Sequence, residues 1–99
     1  MAVSEKAQRV YELLKKVPAG KVTTYSELGK HAGVHQRGIA SIMHANPFAP
    51  EVPCHRVVMS DGRLGGYSLG VEAKIALLTK ENVEIIDNLV DIDKYCHRW

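Results

Sequence analysis

Helix-stopping residues constrain this chain more than any other feature. Pro18-Ala19-Gly20, Gly33, Asn46-Pro47 and the glycine-dense stretch from Gly65 to Gly70 cut its 99 residues into short elements. One small domain with a single core fits that length. Before the first stop, Ser4 reads as an N-cap, and Ala7, Val10, Tyr11, Leu14 and Val17 recur at helical spacing. A helix over about 4–16 is predicted. Lys21-Val22-Thr23-Thr24 is short and β-prone. Thr24 then caps a second helix over roughly 25–32, which Gly33 closes. A third helix runs over about 35–45 until Asn46-Pro47 ends it.

Two short helices joined by a glycine-containing turn form a helix-turn-helix pattern. In the third helix, Ile39, Ile42 and Met43 make a candidate buried stripe. Gly38, Ala40, Ser41 and Ala45 keep the rest slim, so another backbone or a DNA groove can come close, with Arg37 at the start of the helix facing the same partner. Three prolines, Pro47, Pro50 and Pro53, stiffen the loop that follows. Val57-Val58-Met59 reads as a strand, Ser60-Asp61-Gly62 as a turn and Leu64 as the start of a return. A helix is predicted from Val71 to Glu81, with Ala73, Ile75, Ala76 and Leu78 as core candidates. The tail alternates around Asp87-Asn88 and predicts a hairpin over about 83–93. The expected fold class is α+β, mostly helical: a winged-helix-like domain over residues 1–99, with a helix-turn-helix and small β-hairpins.

Charge is unevenly placed. Residues 1–80 hold eleven Lys and Arg against six Asp and Glu; residues 81–99 hold two against five. A basic body permits a nucleic-acid partner and equally fits an ordinary solvated surface. No apolar run approaches the roughly 20 residues that span a bilayer, so no membrane partner is expected. The N-terminus M-A-V-S-E-K-A-Q has no apolar signal region, and the two cysteines, Cys54 and Cys96, lie far apart. An intracellular, monomeric protein with reduced thiols is the expectation. No Cys-x-x-Cys or Cys/His cluster has zinc spacing, so no metal is expected.

Cys54 follows Pro53 and precedes His55. A thiol is a nucleophile as thiolate, and a neighbouring His or cation favours that form. A cysteine near a strand is also often a small buried hydrophobe, and adjacency alone does not decide between the two.

The wider context does. V-P-C-H-R-V-V (52–58) resembles the active-site motif of the O6-methylguanine-DNA methyltransferases, the suicide DNA-repair alkyltransferases. G-K-V-T-T-Y-S-E-L (20–28) is similar to that family's Gly-x-Val-x-Thr-Tyr segment, and R-G-I-A-S-I-M-H-A-N-P (37–47) to its recognition helix. G-G-Y-S-L-G (65–70) resembles its pocket loop, and L-L-T-K-E (77–81) the helix ending in its glutamate. These segments occur in order over about residues 18–81.

The resemblance implies roles. Cys54 would accept an alkyl group from O6 of guanine in double-stranded DNA, the nucleotide being flipped out on the minor-groove side. His55, through a water, and Glu81 would generate the thiolate. Tyr25 would protonate the departing guanine. Tyr67, Ser68, Gly66 and Val52 would wall the pocket, with Asn46 tying the recognition helix to the active-site loop. Arg37 would fill the space the flipped base leaves, and Gly38, Ser41, Ala45, Thr24 and Tyr25 would line the DNA contact. Flipping costs a few kcal/mol, which such contacts offset. The thioether product does not hydrolyse, so the protein would act once; the chemistry requires no cofactor or metal.

Three departures stand out. The Tyr25–Arg37 link is about two residues shorter than in larger members, Glu51 replaces an apolar residue, and Leu69 replaces a common glycine, which implies a narrower pocket. Two other readings exist. Alkyltransferase-like proteins are similarly short and bind alkylguanine as damage sensors, but they typically replace the cysteine. A winged-helix regulator would leave the Cys-His-Glu set without a use. Cys96, in the second Cys-His-Arg of the chain, has no matched partners and reads as an incidental tail thiol.

Overall fold

The computed structural model describes residues 4–46, 51–67 and 69–99. Helix α1 spans Glu5–Leu14, capped by Ser4 Oγ accepting from Ala7 N, and buries Ala7, Val10, Tyr11 and Leu14. Strand β1 (Thr23–Thr24) runs straight into α2 (Tyr25–Ala32), whose N-cap is Thr24. Gly33 ends α2 in the left-handed conformation at φ 70°, and Val34 N donates to Gly29 O at 2.9 Å. Helix α3 covers Gln36–His44. His35 does not belong to it but caps it, Nδ1 accepting from Arg37 N at 3.1 Å. Helices α1, α2 and α3 pack on one another, and Arg9 Nη1 reaches Ala32 O at 3.0 Å to tie α1 to the end of α2.

The helix-turn-helix is tight because Gly29 has no side chain. A Cβ there would stand 2.4 Å from Val34 O, a backbone atom that cannot step aside. Gly29→Ala is therefore expected to destabilise the fold by about 1–3 kcal/mol, the range for overpacking, read as a lower thermal midpoint by circular dichroism.

Beyond α3, a 3-10 turn (Cys54–Arg56) leads into β2 (Val57–Val58), α4 (Val71–Lys80), β3 (Ile85–Ile86), β4 (Leu89–Val90) and α5 (Ile92–Tyr95). Strand β2 pairs in parallel with β1, Thr23 opposite Val57 and Thr24 opposite Val58. The expected return at Leu64 forms no strand: Met59 N bonds Arg63 O across the turn, and Arg63 makes a single antiparallel bridge to Leu89. One true hairpin exists among the described residues, β3–β4, with Asp87 and Asn88 at φ 53° and 61°. Two successive left-handed residues suit the tight turn of a right-twisted ribbon. The segment read as the far end of that hairpin is instead α5, capped by Asp91.

Residues alternate sides along β2. Val57 joins a core of α1, α2 and α3 side chains, which also holds Cys54. Val58 joins a second cluster with Val22, Leu64, Leu78, Val83 and Val90. Strand β2 is thus the wall shared by both, and Cys54 sits just before it. In α4 the buried face is Lys74 and Leu78, while Ala76, a core candidate from sequence, is exposed. In α3, Ile39 and Met43 are buried and Ile42 partly so. Among the described residues no helix is long and apolar enough to cross a membrane.

Candidate active site

Cys54 is nearly fully buried (3% exposed). The turn holding it is closed by bonds from Cys54 N to Val52 O at 2.8 Å and from Arg56 N to Pro53 O at 2.9 Å. Val52 O also accepts from Asn46 Nδ2 at 3.0 Å, so the end of α3 is pinned to this loop. Val52 itself is buried. Residues 47–50 and Ser68, named above, lie outside the described residues.

Behind the cysteine, His55 Nε2 lies 3.0 Å from Glu81 Oε2. A carboxylate oxygen can only accept from a neutral ring, so Nε2 carries the hydrogen and Nδ1 is left as the basic atom. Nδ1 is buried with no protein partner. Burial lowers the His55 pKa and outweighs the raising effect of Glu81, keeping the ring neutral near pH 7. For Glu81 the balance runs the other way. Burial raises its pKa, but the hydrogen bonds and charges of Arg56 and His55 hold it below the ordinary carboxylate value. With the imidazole neutral, Arg56 is the lasting counter-charge. It grips Glu81 as a fork, Nε to Oε1 at 2.9 Å and Nη2 to Oε2 at 2.6 Å, and donates from Nη1 to Val17 O at 2.8 Å.

Glu81 is placed by the end of α4. Asn82 takes φ 67°, and Val83 N to Leu78 O and Asn82 N to Thr79 O, both 3.0 Å, close the helix in the Schellman manner. A carboxylate at that end faces the negative pole of the helix. The Arg56 fork offsets this, an interaction that sequence reading did not find.

In front of the cysteine is a pocket of about 230 Å³ lined by Tyr25, Ala40, Met43, His44, Cys54, Gly66 and Tyr67. Tyr25 Oη approaches Gly66 O at 3.5 Å. Tyr67 stands edge-on to His55, ring centroids 6.3 Å apart, with its hydroxyl buried and unbonded to protein. Burial, then the Cys54 charge, raises the pKa of Tyr25 and of Tyr67, so both phenols stay protonated beside a thiolate. Leu69 is 59% exposed and does not line the pocket, so it does not narrow it. Glu51 is exposed.

A groove of about 500 Å³ shares Tyr25, Ala40 and Gly66 with the pocket and continues along Gln36, Arg37, Met59, Ser60, Asp61 and Arg63. Arg37 and Ser41 are exposed on α3 and Ala45 at its C-cap, whereas Gly38 is half-buried, where a Cβ would meet Val34 Cγ1 at 2.8 Å. Thr24 is buried and its hydroxyl caps α2, accepting from Glu27 N at 3.0 Å. Of the pocket residues on α3, Ala40 reads from sequence as part of the slim outer face and Met43 as part of the buried stripe, and His44 carries no signal; Lys74, bonded to Gly66 O of the pocket loop, carries none either.

Cys96 is elsewhere. The tail forms a parallel bridge to Val22, with Val22 N bonding Tyr95 O at 2.9 Å and His97 N bonding Val22 O at 2.6 Å. Burial, then Glu27, pushes the Cys96 thiol up, which keeps it protonated. Among the described residues no group of three or more His, Cys, Asp or Glu could hold a metal ion.

Fold and site together define a class: helix-turn-helix domains that carry a cysteine pocket beside the second helix of the motif. Comparison narrows the class. The family model of the 6-O-methylguanine DNA methyltransferase DNA binding domain matches residues 5–83, and the chain belongs to that family. It is 42% identical over 83% of its length to a methylated-DNA–protein-cysteine methyltransferase of Methanothermobacter thermautotrophicus, covering 47% of that protein. It is similar in structure to the O6-methylguanine-DNA methyltransferase of Pyrococcus kodakaraensis, with TM-score 0.77 and 44% identity over 82% of this chain and 48% of that one. S. pombe Atl1, solved with damaged DNA containing O6-carboxymethylguanine, aligns over 99% of both chains with TM-score 0.87 and 27% identity. The chain spans about half the length of the methyltransferases it matches.

Proposed function

We propose that this protein repairs DNA by direct reversal, taking an alkyl group from O6 of a flipped guanine onto Cys54 in a single turnover. The observation that carries the reading is the buried Cys54 at the floor of the pocket with the His55–Glu81 pair behind it. His55 Nδ1 takes the thiol proton through a bridging water, and Glu81 stabilises the imidazolium. The thiolate attacks the alkyl carbon in line. The sulfur–carbon bond forms as the carbon–O6 bond breaks, and its electron pair leaves with guanine. Tyr25 gives the leaving base a proton. Arg37, in the adjoining groove, takes the place of the flipped base, and Ser41 and Ala45 form the slim face that enters the DNA. Double-stranded DNA holding O6-alkylguanine is the partner.

A second reading is lesion binding without transfer. The full-length match to Atl1, solved on damaged DNA, favours it. The retained thiol with its basic imidazole favours transfer.

Incubation with a duplex carrying one O6-methylguanine separates them. Transfer adds one methyl mass to the peptide containing Cys54 and restores guanine in the duplex. Methyl-free protein that binds the lesion tightly would leave the binding reading alone standing.

A further inference from the structure

The groove that holds Arg37 continues past the pocket. A further cavity of about 470 Å³ shares Ser60 with it. The wall of that cavity includes Thr24, which precedes the groove residue Tyr25, His31 of α2, and His97, Arg98 and Trp99 of the tail. One continuous surface therefore runs from Arg37 past Tyr25 and Ser60 to the tail. These tail residues lie beyond residue 83, where the family match ends.

A tail frays unless something ties it down. This one is tied on both sides of Arg98. Before it, His97 N donates to Val22 O at 2.6 Å, next to the parallel bridge between Cys96 and Val22. After it, the Trp99 ring packs on His31, ring centroids 4.9 Å apart, and stands edge-on to His97 at 4.8 Å. Arg98 itself is exposed.

Charge indicates what this guanidinium meets. In the groove, Arg63 is held by Asp61 at 2.7 Å. Arg37 and Arg98 have no carboxylate partner among the described residues. Among the described residues the one side-chain carboxylate lining the further cavity is Glu27, 3.7 Å from His31 Nε2. Glu84, Asp87, Asp91 and Asp93 line a different groove. An unpaired guanidinium on a fixed support, continuous with a DNA surface, suits the oxygens of a phosphate.

We propose that the tail is an additional DNA contact, in which Arg98 binds a backbone phosphate of the duplex outside the flipped nucleotide and Trp99, packed on His31, holds it in place. The inference rests on the reading of the Arg37–Tyr25 groove as the DNA interface. A phosphate contact carries no base information, so the tail adds affinity and register without adding sequence preference.

The test follows binding of an undamaged duplex by fluorescence anisotropy as salt is raised, and needs no alkyl transfer. Each phosphate contact contributes about 0.9 to the steepness of log affinity against log salt. Arg98→Ala is expected to reduce that steepness by about one and to weaken binding about three- to tenfold at roughly 50 mM salt. Arg98→Lys restores the charge and is expected to recover most of the steepness. Lys15→Ala removes an equal charge at the C-cap of α1, outside the groove, and is expected to match the parent. Duplexes carrying single neutral methylphosphonates then place the contact. One such substitution is expected to weaken the parent and leave Arg98→Ala unaffected, as two changes to one interaction should. Equal steepness in Arg98→Ala and the parent, or a loss that Lys15→Ala reproduces, overturns the proposal. The Arg98 effect in a protein that transfers no methyl would keep the tail contact and dismiss the proposed chemistry. Methyl transfer to Cys54 with equal steepness would do the reverse.

Discussion

Cys54→Ala abolishes alkyl transfer at every protein concentration while lesion-duplex binding stays within about threefold of the parent. The expectation follows from what else surrounds the pocket. Removing a nucleophile costs the whole covalent step, because the residues that serve it cannot replace it. Among the described residues, Tyr25 and Tyr67 are the hydroxyl groups lining the pocket, and both have raised pKa values, so neither supplies an anion near pH 7. Cys96 lies in the tail beside Val22, with its own thiol pushed up by burial. The binding groove is untouched by the change, since its lining does not include Cys54. Losing one buried sulfur leaves a small cavity costing about 1 kcal/mol, too little to unfold the domain. Intact-mass measurement after exposure to O6-methylguanine duplex, paired with a mobility-shift titration of the same duplex, checks both halves. Transfer surviving in the alanine variant would move the acceptor to another residue.

The helical half of the fold was legible because its signals are local. Ser4, Thr24 and Gly33 sit at the caps their chemistry suits, and the apolar spacing of α1 is long enough to read. The parallel pairing of β1 with β2 was not legible. Two-residue strands carry no period, and their partners stand 34 residues apart, Thr23 against Val57. The tail misled for a related reason: Ile92 continued an apolar alternation, yet Asp91 offered a cap and α5 formed there. In the site, Cys54, His55 and Tyr25 were readable from a motif, and the structure sets Cys54 and Tyr25 on one pocket with His55 behind. Lys74 was not, since a lysine between Ala73 and Ile75 reads as surface, and only the folded loop brings three carbonyls to it. Arg56 carries no local signal of its own inside the Cys-His-Arg motif, and its use appears only when Glu81, 25 residues on, closes the fork.

That fork makes Glu81→Ala the second large effect, on stability and chemistry together. The change leaves the Arg56 guanidinium without its anion and the His55 Nε2 hydrogen without an acceptor. Breaking a buried ion pair from one side costs about 3–5 kcal/mol, and the lower figure applies because Arg56 and Glu81 keep 16% and 15% of their side-chain surface exposed. For a domain of this size about 3 kcal/mol lowers the thermal midpoint by on the order of 12–24 °C. Glu81→Gln keeps the shape and removes the charge: its one carbonyl oxygen, at the Oε2 position, can accept from His55 Nε2 and Arg56 Nη2, while the Arg56 Nε hydrogen loses its acceptor. Its pH dependence identifies the contribution. Glu81 has its folded pKa below the ordinary 4.5, so the stability it adds is present above that value and is lost as pH falls through the folded one. Thermal midpoints of the parent are therefore expected to drop more steeply below about pH 4.5 than those of Glu81→Gln, with the two curves converging in acid. At pH 7, where the glutamine variant remains folded, its alkyl transfer is expected to slow by about 100-fold or more, as is usual when a proton relay loses its member. A folded variant with unchanged transfer would reduce Glu81 to a structural anchor for Arg56.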